Sequence, residues 1–293
     1  MREMDRLPLL LPFDGSPAAL RAVELLAAYR GAAALAPTLL NVQARPLTIW
    51  PESMLDARAV EAALLEAGEE ELRPALARLA GAQGAVRLGF PADSIVREAA
   101  ALGVQAIVMG TRGKGALHGF PLGSVALRVA HAAAVPTLLV KPEARLPARF
   151  GTQLKVIVGM DGSEPGLRAL EQLAAWRAWL GELQVELVYV QQPLGLLARL
   201  LPPHDDLIEE WSSAAGEAAA SRAREILRAA GIAHRLHLSI GEAPEEIALI
   251  AGQTGAELMV LGTRGLGAAH HALVGSVALK AAALSALPVL LVR

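Results

Sequence analysis

Gly110-Thr111-Arg112-Gly113-Lys114-Gly115-Ala116-Leu117-His118-Gly119-Phe120-Pro121-Leu122-Gly123-Ser124 recurs in outline between Gly262-Thr263-Arg264-Gly265 and Gly275-Ser276. Both copies run Gly, two residues, Gly, nine residues, Gly-Ser. From Gly110 to Lys141 and from Gly262 to Arg293 the segments align without a gap, at an offset of 262 − 110 = 152. Of those 32 positions 18 are identical, far above what shared composition gives, so the chain reads as one unit written twice. In each copy a short apolar run leads into the loop, Ala106 to Met109 and Glu257 to Leu261, and a helix opens on the Gly-Ser. Strand, glycine loop, helix is the local signature of an α/β sheet.

Working outward, Leu7 to Phe13 is an apolar run closed by Asp14-Gly15-Ser16-Pro17. That reads as a buried strand, a turn, and a helix with Ser16 as N-cap and Pro17 in its first turn. The helix runs from Ala18 to Arg30, and Thr38 to Val42 is the next strand. Glu52 to Leu79 reads as a long surface helix, kinked or broken before Pro74, and its run Gly68-Glu69-Glu70-Glu71 as a solvated face. Ala85 to Leu88 is a weak strand, Pro91 to Leu102 a helix, Gly123 to Ala134 a helix and Pro136 to Val140 the closing strand. Strands and helices alternate throughout, which implies a mostly parallel sheet covered on both faces.

The second half repeats this order from Lys155 to Met160, with Asp161-Gly162-Ser163 standing for Asp14-Gly15-Ser16 at an offset of 161 − 14 = 147. Glu164 to Leu180 is its first helix, Val185 to Val190 its second strand and Leu207 to Ala230 its long helix. The growth of the offset from 147 to 152 places about five extra residues near Gln192 to Asp206 or in the strand His234 to Ile240. Two domains follow, 1–141 and 154–293, joined by a Pro-bearing charged linker, 142–153.

Composition narrows the function. Aromatic residues are 3% against 54% hydrophobic overall, so the cores are aliphatic. With a net charge of −2 and no basic block, the electrostatic footprint of a nucleic-acid binder is missing. No cysteine is present, which removes thiolate chemistry and cysteine metal sites. The charged start Met1 to Arg6 and the lack of an unbroken apolar run of about 20 residues suggest a cytoplasmic protein without a membrane span.

The loop suits phosphate. Backbone N–H groups of the loop and of the following helix would converge on one spot, backed by the positive end of the helix dipole. Ser124 and Ser276 add hydroxyls, and Arg112 and Arg264 add charge. The loop is neither G-x-x-x-x-G-K-[ST] nor G-x-G-x-x-G, since His118 stands where the latter needs its third glycine.

These residues together resemble the universal stress protein family in its tandem two-domain form. The resemblance rests on Asp14-Gly15-Ser16, on the Gly110-x2-Gly113-x9-Gly123-Ser124 loop, on Val135 to Val140, and on residues 161–163, 262–276 and 287–292. It implies, in each half, a doubly wound five-stranded parallel sheet of order 3-2-1-4-5, with a crevice where the strand order reverses. It also implies ATP at two sites. In the first half the positions carried over are Asp14, Val42, Gly110, Gly113, Gly123 and Ser124, with Pro12 and Met109 against adenine. In the second they are Asp161, Val190, Gly262, Gly265, Gly275 and Ser276. Arg112, Arg264, Val125 and Val277 complete the sets. Gly159 and Leu261 replace Pro12 and Met109, so the two pockets need not be equivalent. Mg²⁺ would accompany the triphosphate.

Other residues read more plainly. Asp14 and Asp161 also suit simple turns, His118 and His270 surface loops, and Trp176 and Trp179 a core or interface. His234 and His237, three apart on a strand, face opposite sides and so share no metal. Nothing marks a nucleophile, and whether the chain is an enzyme stays open. The leading reading is an ATP-binding stress-response regulator. The alternatives are a slow ATPase or phosphotransferase using the same pockets, or a nucleotide-free interaction protein. An unidentified protein partner, internal pairing of the halves as a pseudo-dimer, and a homodimer of whole chains are compatible with it.

Overall fold

The computed structural model describes residues 6–31, 35–44, 57–113, 122–192, 205–263 and 275–293; of 57 and 205–213 it describes the backbone alone. The chain divides into two compact units, 1–29 with 33–144, and 30–32 with 145–293.

In the first unit the strands are β1 (Leu7–Pro12), β2 (Leu35–Gln43), β3 (Gln83–Leu88), β4 (Ala106–Gly110) and β5 (Thr137–Val140). They lie in the order β3-β2-β1-β4-β5 and every pairing is parallel. The helices are α1 (Pro17–Ala27), α2 (Ala57–Leu76), α3 (Pro91–Ala101) and α4 (Ser124–Ala132). Helix α1 packs on β1, β4 and β5, α2 packs on β2 and β3, and α3 packs on β2 and α4. The central strands are apolar on both faces, as a covered parallel sheet requires: Leu10, Leu11 and Ile107 are fully buried.

The second unit holds β6 (Gln153–Met160), β7 (Glu182–Gln191), β8 (Ala233–Ile240), β9 (Leu258–Gly262) and β10 (Val289–Val292). Their order is β10-β9-β6-β7-β8, all parallel, which is the same 3-2-1-4-5 arrangement. Its helices are α5 (Glu164–Ala175), α6 (Arg177–Leu180), α7 (Asp205–Ala229), α8 (Ala243–Thr254) and α9 (Ser276–Leu284). Each half is the expected doubly wound α/β domain.

Several local expectations change. The helix expected over 164–180 is interrupted at the buried Trp176, which caps both α5 and α6. Helix α2 runs through Pro74 to Leu76, because a proline this close to the C-terminal end forfeits one backbone bond in the last turns only.

The extra residues of the second half lie elsewhere too. Gly68 on α2 seats against Val86 and Asn41, as Gly216 on α7 seats against Leu238 and Tyr189. The offset is 216 − 68 = 148 at the helix and 238 − 86 = 152 at the strand. Four of the five extra residues therefore fall between those points, where α7 outruns α2 before β8 begins.

Candidate functional site

The turn after β1 is built by its own side chains. Asp14 Oδ1 accepts the N–H of Ser16 at 3.1 Å, while Gly15 takes a φ of 67°. Ser16 Oγ then accepts the N–H of Ala19 at 3.3 Å and caps α1, with Pro17 in the first turn. The second unit repeats the turn: Asp161 Oδ1 accepts from Ser163 N at 3.0 Å, and Gly162 has φ 79°. Asp14 and Asp161 are thus turn residues, and the turn fixes where their carboxylates sit.

The backbone ahead of that turn is held from beneath. Phe13 donates its N–H to Leu40 O at 2.8 Å, and the side-chain amide of buried Asn41 donates to Phe13 O at 2.9 Å. The same amide donates to Glu71 Oε2 of α2 at 2.8 Å, and Gln43 Nε2 donates to Asn41 Oδ1 at 2.8 Å. Glu71 is therefore tied to the sheet and Gly68 beside it is buried, so the solvated face expected over 68–71 holds for the exposed Glu69 and Glu70 and is corrected at its two ends.

The glycine loop leaves β4 over α1. A Cβ on Gly110 would lie 2.7 Å from the backbone of Ala18 and Ala19, and one on Gly113 would lie 2.6 Å from Asp14 Oδ2. Only a bare backbone comes this close to helix and carboxylate. Thr111 donates its N–H to Val140 O at 3.0 Å and accepts the N–H of Gly123 on its own carbonyl at 2.7 Å. The loop is thereby clasped at its base, and the N-terminus of α4 is held beside β4. Gly123 is the N-cap of α4 and provides no side-chain cap. The same clasp closes the second loop: Thr263 donates to Val292 O at 2.7 Å, and Gly275 to Thr263 O at 2.6 Å.

These elements enclose a cleft of about 320 Å³ in the first unit, at the carboxyl ends of β1, β2 and β4. Pro12, Asp14 and Val42 line it from the first two strands, and Met109, Gly110, Arg112 and Gly113 from β4 and its loop. Gly123, Ser124 and Val125 line it from the start of α4. All ten positions singled out in the first half by sequence meet in this one space. Leu40, Pro91, Ile95 and Thr111 line it as well, and sequence reasoning did not select them. Leu40 lies two residues before Val42 and shares its strand face, while Pro91 and Ile95 lie one turn apart at the start of α3. Strand and helix periodicity would have found all three.

In the second unit Asp161 ends β6 in its turn, Val190 lies near the end of β7, Gly262 ends β9, and Gly275, Ser276 and Val277 open α9. Arg264 and Gly265 lie outside the described residues, as do His118 and His270. Where Pro12 stands in the first unit, Gly159 stands here, and the space above it holds Ile247 Cδ1 and Leu261 Cδ2, 2.6 and 2.7 Å from where a Cβ would be.

Arg112, on the wall of the first cleft, acts on a second cation. Arg112 is exposed, and Lys141, the residue after β5, is half-buried. Burial lowers the Lys141 ammonium below the ordinary lysine value; the Glu143 carboxylate opposes this and the Arg112 guanidinium adds to it. Among the described residues no group of three His, Asp or Glu side chains is placed to hold a metal ion. A cation here would have Asp14 and the ligand's own oxygens, which matches how Mg²⁺ rides on nucleotide phosphates. His234 and His237 part company as expected: His237 Nε2 lies 2.7 Å from Glu186 Oε2, and His234 Nδ1 lies 3.0 Å from Ile232 O. No helix among the described residues is long and apolar enough to cross a membrane.

The model of the universal stress protein family matches residues 7–141 and again 154–293. A universal stress protein of Mycolicibacterium smegmatis is 27% identical over 272 residues, 87% of this chain and 86% of that one. The crystal structure of a universal stress protein from Archaeoglobus fulgidus superposes with a TM-score of 0.66 at 23% identity, covering 97% of this chain and 95% of that one. A functionally unknown protein from Pseudomonas aeruginosa superposes at 0.59 with 18% identity, over 98% and 92%. At those identities the two structures speak for the fold alone.

Proposed function

Because the chain belongs to the universal stress protein family in tandem form, we propose that it is a regulatory protein that binds ATP in the cleft beneath the glycine loop. The observation that carries this is the meeting of Asp14, the Gly110–Gly113 backbone and the N-terminus of α4 around one cleft of about 320 Å³. That size lies in the range of small-ligand pockets. The adenine end is the apolar part, between Pro12, Val42 and Met109. The triphosphate lies against the loop and the start of α4, where backbone N–H groups and the helix dipole favour anions. Arg112 lines the same cleft and adds positive charge toward the phosphates. Asp14 would help hold the Mg²⁺ that accompanies the triphosphate, and the cation would offset phosphate charge. The second unit carries a site of the same construction around Asp161, Gly262 and Ser276, so the chain takes two nucleotides.

The test is thermal unfolding with and without Mg-ATP. Ligand at 100 times its dissociation constant adds about 2.7 kcal/mol of stability at one site, which appears as a rise in Tm of several degrees. No shift at millimolar Mg-ATP overturns the proposal.

A further inference from the structure

Thr111 is the second residue of the glycine loop, between Gly110 and Arg112. It is 2% exposed, it lines the cleft, and its buried Oγ1 has no hydrogen-bond partner among the described residues. The backbone of the same residue is fully used, its N–H by Val140 O and its carbonyl by Gly123 N–H. The residue is therefore pinned, and its hydroxyl cannot find a partner by moving the loop.

Buried hydroxyls in native proteins are nearly always bonded, because leaving one unsatisfied is costly. A hydroxyl of this kind on the wall of a cleft is a donor suited to a ligand atom. The carbonyl bond to Gly123 fixes which part of a ligand comes near. Gly123 is the N-cap of α4, so Thr111 is held through its backbone at the positive end of that helix, and the exposed Arg112 follows it in the chain. An oxygen with negative charge is the group this surrounding favours, and a hydroxyl donates to it.

We infer that Thr111 is a ligand-contacting residue whose hydroxyl donates a hydrogen bond to a phosphate oxygen of the bound nucleotide. The inference rests on the nucleotide reading above and adds a residue to it.

The experiment compares the wild-type chain with Thr111→Val, which keeps the shape and removes the hydroxyl, and Thr111→Ser, which keeps the hydroxyl. Each is titrated with Mg-ATP by calorimetry and melted without ligand. Thr111→Val is expected to bind ATP about tenfold more weakly, as loss of a bond to a charged group implies, while its ligand-free Tm is equal to or above wild type. Thr111→Ser is expected to bind within about threefold of wild type. Adenosine, competing against bound ATP, is expected to act alike on wild type and Thr111→Val. Undiminished ATP affinity in Thr111→Val overturns the inference, as does a fall of several degrees in its ligand-free Tm, which would assign the hydroxyl to the fold. A loss for adenosine as large as for ATP overturns the assignment to phosphate. Wild type that fails to bind ATP at all overturns the nucleotide reading itself.

Discussion

Gly113 and Asp14 show how little room single residues have at this site. A methyl group at Gly113 would stand 2.6 Å from Asp14 Oδ2, so Gly113→Ala must push the loop or the carboxylate aside. Overpacking of this kind costs about 1–3 kcal/mol. It is expected to weaken ATP binding about tenfold or more in a direct titration. Asn41 acts one step away, holding Phe13 O and Glu71 together. Asn41→Leu leaves both without that donor and is expected to cost about 1–3 kcal/mol in urea unfolding.

Lys141 gives a pH signature with a definite sign. Its folded pKa lies below the ordinary 10.5, so between the two values the unfolded chain holds the extra proton. Its contribution to stability is therefore present above 10.5 and lost as pH falls through the lowered folded value. Tyr29, raised above 10.0 by burial, works the other way: stability it provides below 10.0 is lost as pH rises through its folded value. Comparing Lys141→Met with wild type cancels Tyr29. The variant is expected to lose the alkaline rise, read as the difference in unfolding free energy between the two proteins across that pH range.

At the scale of elements, the strand–loop–helix unit was legible because its signals agree. Apolar β4 is long enough only for a buried strand, the glycines stop it, and Gly-Ser starts α4. The Asp-Gly-Ser turn was equally readable, down to Ser16 as the cap. Less was written locally about α2. Its Glu-rich run reads as solvent-facing by composition, yet Gly68 lets the helix sit low on β3 and brings Glu71 within reach of Asn41. That is a tertiary contact between residues about 30 apart, and no periodicity encodes it. The break at Trp176 has the same origin, a large ring drawn into the core at the cost of helix continuity. The close seat of α1 on β4 is testable at Gly110: alanine there meets the Ala18 backbone at 2.7 Å. Gly110→Ala is expected to destabilise the fold by about 1–3 kcal/mol, read as a lower urea midpoint, and Gly262→Ala, at 2.8 Å from Gly166 N, to do likewise.

For the molecule as a whole, the repeat announces two units of one design, but it does not make them equal. Pro12 gives the first cleft a rigid wall, whereas Gly159 leaves its place to the tips of Ile247 and Leu261. Backbone restraint favours the preformed wall, since flexible side-chain ends must be ordered against a ligand. Two ATP affinities rather than one are expected, with the tighter belonging to the first unit. The sequence carried the substitution in plain sight, and only packing tells what fills the gap. The most direct measurement of the central claim is a calorimetric titration of the whole chain with Mg-ATP, set beside the variant Gly113→Val. The account predicts saturable binding below millimolar concentration, with the tighter phase lost in Gly113→Val. Absence of binding at millimolar ATP, or an unchanged titration in that variant, would contradict it.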